Sequence, residues 1–145
     1  FLTAPGVTAS PQAAAAYLTE PQVQETIGYF GRLTVALVGI GSIHPSRLLG
    51  ESGNVFSEQE LAELKQLGAV GDVCLRFYDR SGHDVPSPFD NRVVGMSLDH
   101  LRRVPRAIGI AGAIEKREAI RGALNGRLIG ALITDRLTAE RLVVD

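Results

Sequence analysis

Three short stretches of this sequence carry residues whose types and spacing could do chemistry. The first is "AGAIEKREAI", residues 111–120, which sets Lys116 just inside a helix that follows an apolar run closed by Gly112. The chain has only one other lysine, Lys65, among its 15 basic residues. A helix N-terminus presents free N–H groups and the positive end of the helix dipole, so it disfavours a cation and favours an anion. An anion met by the amine explains Lys116 better than helix stability does. The plain alternative is an amine extended into solvent beside Glu115 or Glu118. The second stretch is "GAVGDVCLRF", in which Asp72 interrupts an apolar run. A carboxylate there is costly to bury unless it is hydrogen-bonded or charge-paired. It could accept hydroxyl hydrogen bonds from a polyol, bond a nearby turn, or pair with Arg76 or Arg92. The third is "GIGSIHPS". Gly39 and Gly41 would let the backbone approach a ligand closely and Ser42 could donate a hydrogen bond, or the segment is a plain tight turn.

All three stretches gain meaning from the elements that must position them. "LTVALVGIGS" is a nearly continuous aliphatic run ending in glycines, the pattern of a strand covered on both faces and hence of a parallel sheet. "RAIGIAG", "AIEKREAIRGALNG", "IGALITD" and "RLTAERLV" follow one another as strand, helix, strand, helix, a unit whose crossover should be right-handed and whose strands should be parallel. Strands are predicted over residues 34–38, 70–77, 107–111 and 131–134, with helices near 58–66 and 115–124. Ser57 with Glu60 forms a capping box for the first of these helices, and Gly68 stops it. Upstream, Ser10–Pro11 and Pro21 open two short helices, the second carrying Val23, Ile27 and Phe30 on one stripe. "NRVVGMSL" reads as an extended run that pairs with 70–77 in a hairpin-like excursion. In open parallel sheets ligands sit outside the carboxyl ends of the strands, which is where all three stretches fall.

Composition narrows the classes. A 45% hydrophobic chain of 145 residues fills one ordinary core, and a formal net charge of -1 creates no field to recruit nucleic acid or an anionic membrane. The single cysteine, Cys74, excludes an internal disulfide and reads as a small buried hydrophobe in a reducing, cytoplasmic setting. No stretch has the length of a membrane span, and "FLTAPGVTAS" has neither the charged flank of a signal peptide nor an initiator methionine, so the chain reads as a piece of a longer one. His44, His83 and His100 fall on separate loops or element ends, away from metal spacing. "GIGSI" is not a nucleophile elbow, and Asp135 reads as a helix N-cap with a lesser chance of ligand contact.

The wording and order of "LVGIGS", "GAVGDVCLRFYDRSG" and "NRVVGMSLDHLRRVPRAIGIAGAIEKREAIRGALNGRLIGALITDRLTAERL" resemble the effector-binding domain of the SorC family of sugar-responsive bacterial transcription regulators, over essentially all 145 residues. "GAVGD", an A-G-x-x-x-K helix start and then "LITD…TA" carry the likeness. The resemblance implies a Rossmann-like α/β domain similar to sugar-phosphate isomerases and glucosamine-phosphate deaminases. It also implies that residues 1–145 are part of that domain, its first portion and an N-terminal helix-turn-helix being absent. The expected role is to bind a sugar or sugar phosphate and to modulate DNA binding through a homo-oligomer, a dimer or tetramer. No turnover, cofactor, metal or membrane partner is expected, and DNA is contacted only through the absent domain. Carried over by motif, Asp72 would hold sugar hydroxyls, Lys116 would lie near the ligand's phosphate or anionic end, and Gly39, Gly41 and Ser42 would line the same cleft. Family members commonly have two glycines before the lysine segment, whereas this chain has Gly112 then Ala113. The alternatives are an isomerase- or deaminase-like enzyme and an oligomerisation scaffold.

Overall fold

The computed structural model describes residues 1–43 and 56–144. Two helices open the chain, α1 (Pro11–Thr19) and α2 (Pro21–Gly28), each with a proline in its first turn, where the missing N–H costs nothing. Ser10 caps α1 by accepting the Ala13 N–H. The sheet strand β1 (Val35–Gly39) follows, and then the short β2 (Gly41–Ser42). Helix α3 (Glu58–Gln66) carries the full capping box of Ser57 and Glu60, and the chain leaves it through Gly68 at a φ of +96°. Next come β3 (Gly71–Val73), β4 (Arg76–Tyr78), a short helix α4 (Leu98–Arg102), β5 (Arg106–Ile110), α5 (Arg117–Asn125), β6 (Ala131–Ile133) and α6 (Arg136–Val144).

Three strands form a parallel sheet in the order β1-β5-β6, with Leu37 beside Ile108 and Ile110 beside Ile133. The parallel α/β reading of the sequence holds. Its main core lies on one face of this sheet, where Ile40, Tyr78, Leu98, Leu101, Ile120 and Leu128 pack together, each at most 1% exposed. Among the described residues the other face is left largely open. Leu37 is 63% exposed and Ile133 56%, and Val35 and Ile110 stand on the same side. A parallel sheet normally has both faces covered.

One predicted strand is corrected. Residues 70–77 do not join the parallel sheet; they split into β3 and β4, which pair antiparallel and take β2 as the third strand of a separate small sheet. The chain reverses at Cys74 and Leu75, whose φ values of +55° and +62° make the tight two-residue turn that hairpin twist favours. That turn leaves Cys74 exposed, so it is not the buried hydrophobe its apolar neighbours suggested. "NRVVGMSL" forms no ladder with this hairpin either. It is a 3₁₀ turn at Asp90–Arg92, a single bridge from Val93 to Val7, and the start of α4. Side-chain ties hold it there instead, since the Arg76 guanidinium donates to the Asp90 and Val93 carbonyls.

The small sheet is fastened to α5 by Tyr78, whose fully buried hydroxyl donates to the Ala119 carbonyl at 2.9 Å. Tyr78→Phe should cost about 0.5–1.5 kcal/mol, the usual net value of one buried hydrogen bond. Urea denaturation should show the midpoint lowered and the slope unchanged.

Candidate functional site

Strand β1 ends at Gly39, and the backbone turns through Ile40 into β2. The Ile40 side chain is anchored in the core at 1% exposure, which fixes its main chain at the carboxyl end of the sheet. Across from it, β2 and β3 pair so that Gly41 faces Asp72. A Cβ on Gly41 would overlap the Asp72 carboxylate, so this glycine is required by the close approach of that side chain. No such demand exists at Gly39, where a Cβ would meet open space. Asp72 is half-buried, and its Oδ2 accepts the Leu75 N–H at 3.2 Å. Burial pushes its carboxyl up from 3.8 to about 6; the Leu75 N–H and the Lys116 charge act in the opposite direction without cancelling it. It pairs with neither arginine that the sequence offered. Arg76 goes to Asp90 and Arg92 to Glu60.

Lys116 does not extend into solvent. It is half-buried, and its Nζ donates to the Ile40 carbonyl at 2.9 Å, the very residue between Gly39 and Gly41. The sequence put it inside the helix; here a 3₁₀ turn over Ile114–Lys116 comes first, and Lys116 occupies the N-cap position of α5. The segment leading to that turn is strained. Ala113 has a φ of +82° and a ψ of 140°, a region that L side chains rarely adopt and that costs about 1–3 kcal/mol. Its N–H is held at 3.0 Å by Asp135 Oδ2, an atom that also accepts the Thr138 hydroxyl at 2.6 Å. Asp135 Oδ1 accepts the Thr138 N–H, so the residue caps α6 as the sequence suggested while also reaching back to β5's end. These bonds hold its carboxyl well below the usual carboxylate range.

Three of the sequence's candidate groups therefore meet at one place. The glycine turn, Asp72 and Lys116 converge at the carboxyl end of β1, where the Lys116 charge acts on the desolvated Asp72 carboxyl. Such a pair can receive hydroxyls and an anion on one small molecule. Ser42 lies in β2 beside Gly71 and is half-buried there. His44 lies outside the described residues. His100 bonds the Ser97 hydroxyl at 2.8 Å and His83 lies 3.7 Å from Asp79, and among the described residues no cluster of His, Cys, Asp or Glu could hold a metal ion.

Comparison with known proteins shows the family of the chain. The family described as "Putative sugar-binding domain" matches residues 1–144. The transcriptional regulator YjhU of Escherichia coli K12 is 35% identical over 142 residues, 98% of this chain and 43% of that protein. The deoxyribonucleoside regulator of Bacillus subtilis is 40% identical over 111 residues, 77% of this chain and 35% of that protein. The crystal structure of the full-length sorbitol operon regulator SorC from Klebsiella pneumoniae superposes with a TM-score of 0.88 at 34% identity, covering 96% of this chain and 44% of that one. The chain belongs to the sugar-binding domain family of SorC-type transcription regulators.

Sequence reasoning missed two backbone groups in the site, the Ile40 carbonyl and the Leu75 N–H, because main-chain partners carry no residue-type signal. It also missed the link from Asp135 to Ala113.

The raised carboxyl of Asp72 has a consequence for stability. Its folded state holds the proton more tightly than the unfolded state, so the stability this group contributes is fully present below pH 3.8 and is lost as pH rises through about 6. Asp72→Asn keeps the shape and the acceptor for Leu75 but removes the charge. At pH 7.5 it should be more stable than wild type by about 1–3 kcal/mol, and the gap should close toward pH 4. Chemical denaturation of both proteins across that range measures it.

Proposed function

We propose that this chain is the effector-sensing part of a transcription regulator, which binds a sugar or phosphorylated sugar at the carboxyl end of β1. The observation that carries the reading is the meeting of Asp72 and Lys116 around the Ile40 turn. Asp72 accepts sugar hydroxyls, Lys116 faces the phosphate or other anionic end, and Gly39, Gly41 and Ser42 line the approach. The names of the relatives, a sorbitol operon regulator and a deoxyribonucleoside regulator, support a polyol or sugar class of ligand. The protein acts in the cytoplasm, without turnover, as a homo-oligomer.

The chain spans less than half the length of the curated relatives named above. The exposed apolar face of Val35, Leu37, Ile110 and Ile133 fits a domain whose first portion packs there, and DNA contact belongs to a helix-turn-helix outside the 145 residues. Among the described residues no helix is long and apolar enough to cross a membrane.

Isothermal titration calorimetry on the full-length regulator, with a sugar and its phosphate in parallel, tests the assignments. Lys116→Ala should weaken the phosphorylated ligand by about 1.5–3 kcal/mol, the worth of a charge-assisted hydrogen bond, and should affect the neutral parent less. Asp72→Asn should weaken both alike. Equal affinity of wild type and Lys116→Ala for the phosphate would remove the lysine from the site. Steady conversion of a sugar phosphate would replace the sensor with an isomerase- or deaminase-like enzyme.

A further inference from the structure

The lysine of the site sits on a segment that is not comfortable by itself. Ala113 adopts a φ of +82°, at which a Cβ crowds the backbone, and it is exposed, so no packing of its methyl holds it there. Its N–H is tied to Asp135 Oδ2 by a hydrogen bond across a separation of 22 residues. The carboxylate is pressed close enough that a Cβ on Gly112 would come within 2.7 Å of the same oxygen. From Ala113 the chain is committed to the 3₁₀ turn, because the Lys116 N–H donates to the Ala113 carbonyl at 3.0 Å. Lys116 then reaches Ile40.

We propose that Asp135 is a positioning residue for the binding site: it pins Ala113 in the glycine region and thereby sets the turn that delivers the Lys116 amine to the Ile40 carbonyl beside Asp72. The value of this placement for a ligand rests on the sensor reading above; the placement itself does not. Asp135 is also the N-cap of α6 through the Thr138 N–H, and a cap alone would have no reason to act on Lys116. The two roles separate chemically. Serine at position 135 still accepts the Thr138 N–H and caps the helix about as well as aspartate, but its shorter side chain cannot reach the Ala113 amide.

The test uses the reactivity of Lys116 toward an acetylating reagent in the full-length protein, read peptide by peptide by mass spectrometry, with Lys65 on α3 as the internal reference for global opening. In Asp135→Ser, Lys116 should be acetylated at least fivefold faster than in wild type while Lys65 keeps its rate. Adding Ala113→Gly to that variant relieves the backbone strain that the lost bond had offset, and the Lys116 rate should return to within twofold of wild type. Unchanged reactivity in Asp135→Ser would overturn the proposal, as would an increase that Ala113→Gly fails to reverse, which would assign the effect to α6 alone. Calorimetry with a sugar phosphate on the same proteins separates this from the sensor reading. Affinity should fall in Asp135→Ser and recover in the double variant. Reactivities that follow this pattern in a protein that binds no sugar would uphold the placement and refute the sensor.

Discussion

A carboxylate taken partly out of water without a counter-ion in contact is the constraint on which the rest of this molecule turns. Asp72 has one hydrogen-bond donor, the Leu75 N–H, and the Lys116 charge nearby, and these leave its carboxyl raised to about 6. Gly41 must be glycine to admit it, β2 and β3 must pair to bring it to the end of β1, and Lys116 must be held close to temper its charge. An arrangement of this kind lowers stability at neutral pH, and function is the usual reason that such a cost persists. On the proposed reading, a sugar hydroxyl supplies the hydrogen bonds that the protein withholds.

The two sheets divide the work. In the parallel sheet, β1, β5 and β6 deliver Gly39, Gly112 and Asp135 to one end, as open α/β sheets do. The small antiparallel sheet is the adaptor. Its turn at Cys74 and Leu75 uses two non-glycine residues at positive φ, and together with Ala113 these place strained backbone on both sides of the Asp72–Lys116 pair. Strain of this sort is held in place by its surroundings, here by carboxylates: Asp72 bonds the Leu75 amide and Asp135 bonds the Ala113 amide.

The legible parts of the fold were those written in local pattern. β1, β5 and β6 announce themselves as unbroken aliphatic runs, and Ser10, Ser57 and Asp135 as caps. The β3–β4 reversal was not legible, because Cys74 and Leu75 continue an apolar run and neither is the glycine or asparagine that ordinarily marks such a turn. For the site, residue type pointed to Asp72, Lys116 and the glycine turn, yet not to their partners. Asp72 was offered two arginines by the sequence and took a backbone amide; both arginines were claimed by Asp90 and Glu60 on other elements. Lys116 was offered solvent or a ligand and took a main-chain carbonyl 76 residues away. Contacts of that range depend on how β1 and α5 come together, which no local pattern encodes.

The central claim is that Asp72 is the hydroxyl-accepting group of an effector site. Carboxyl-carbon NMR titration of Asp72 in the full-length protein, with and without a saturating sugar phosphate, tests it most directly. Hydroxyl donors stabilise a carboxylate, so the midpoint should lie near 6 in the free protein and fall toward the ordinary carboxyl value when the effector is bound. A midpoint that the bound effector leaves in place would contradict the account.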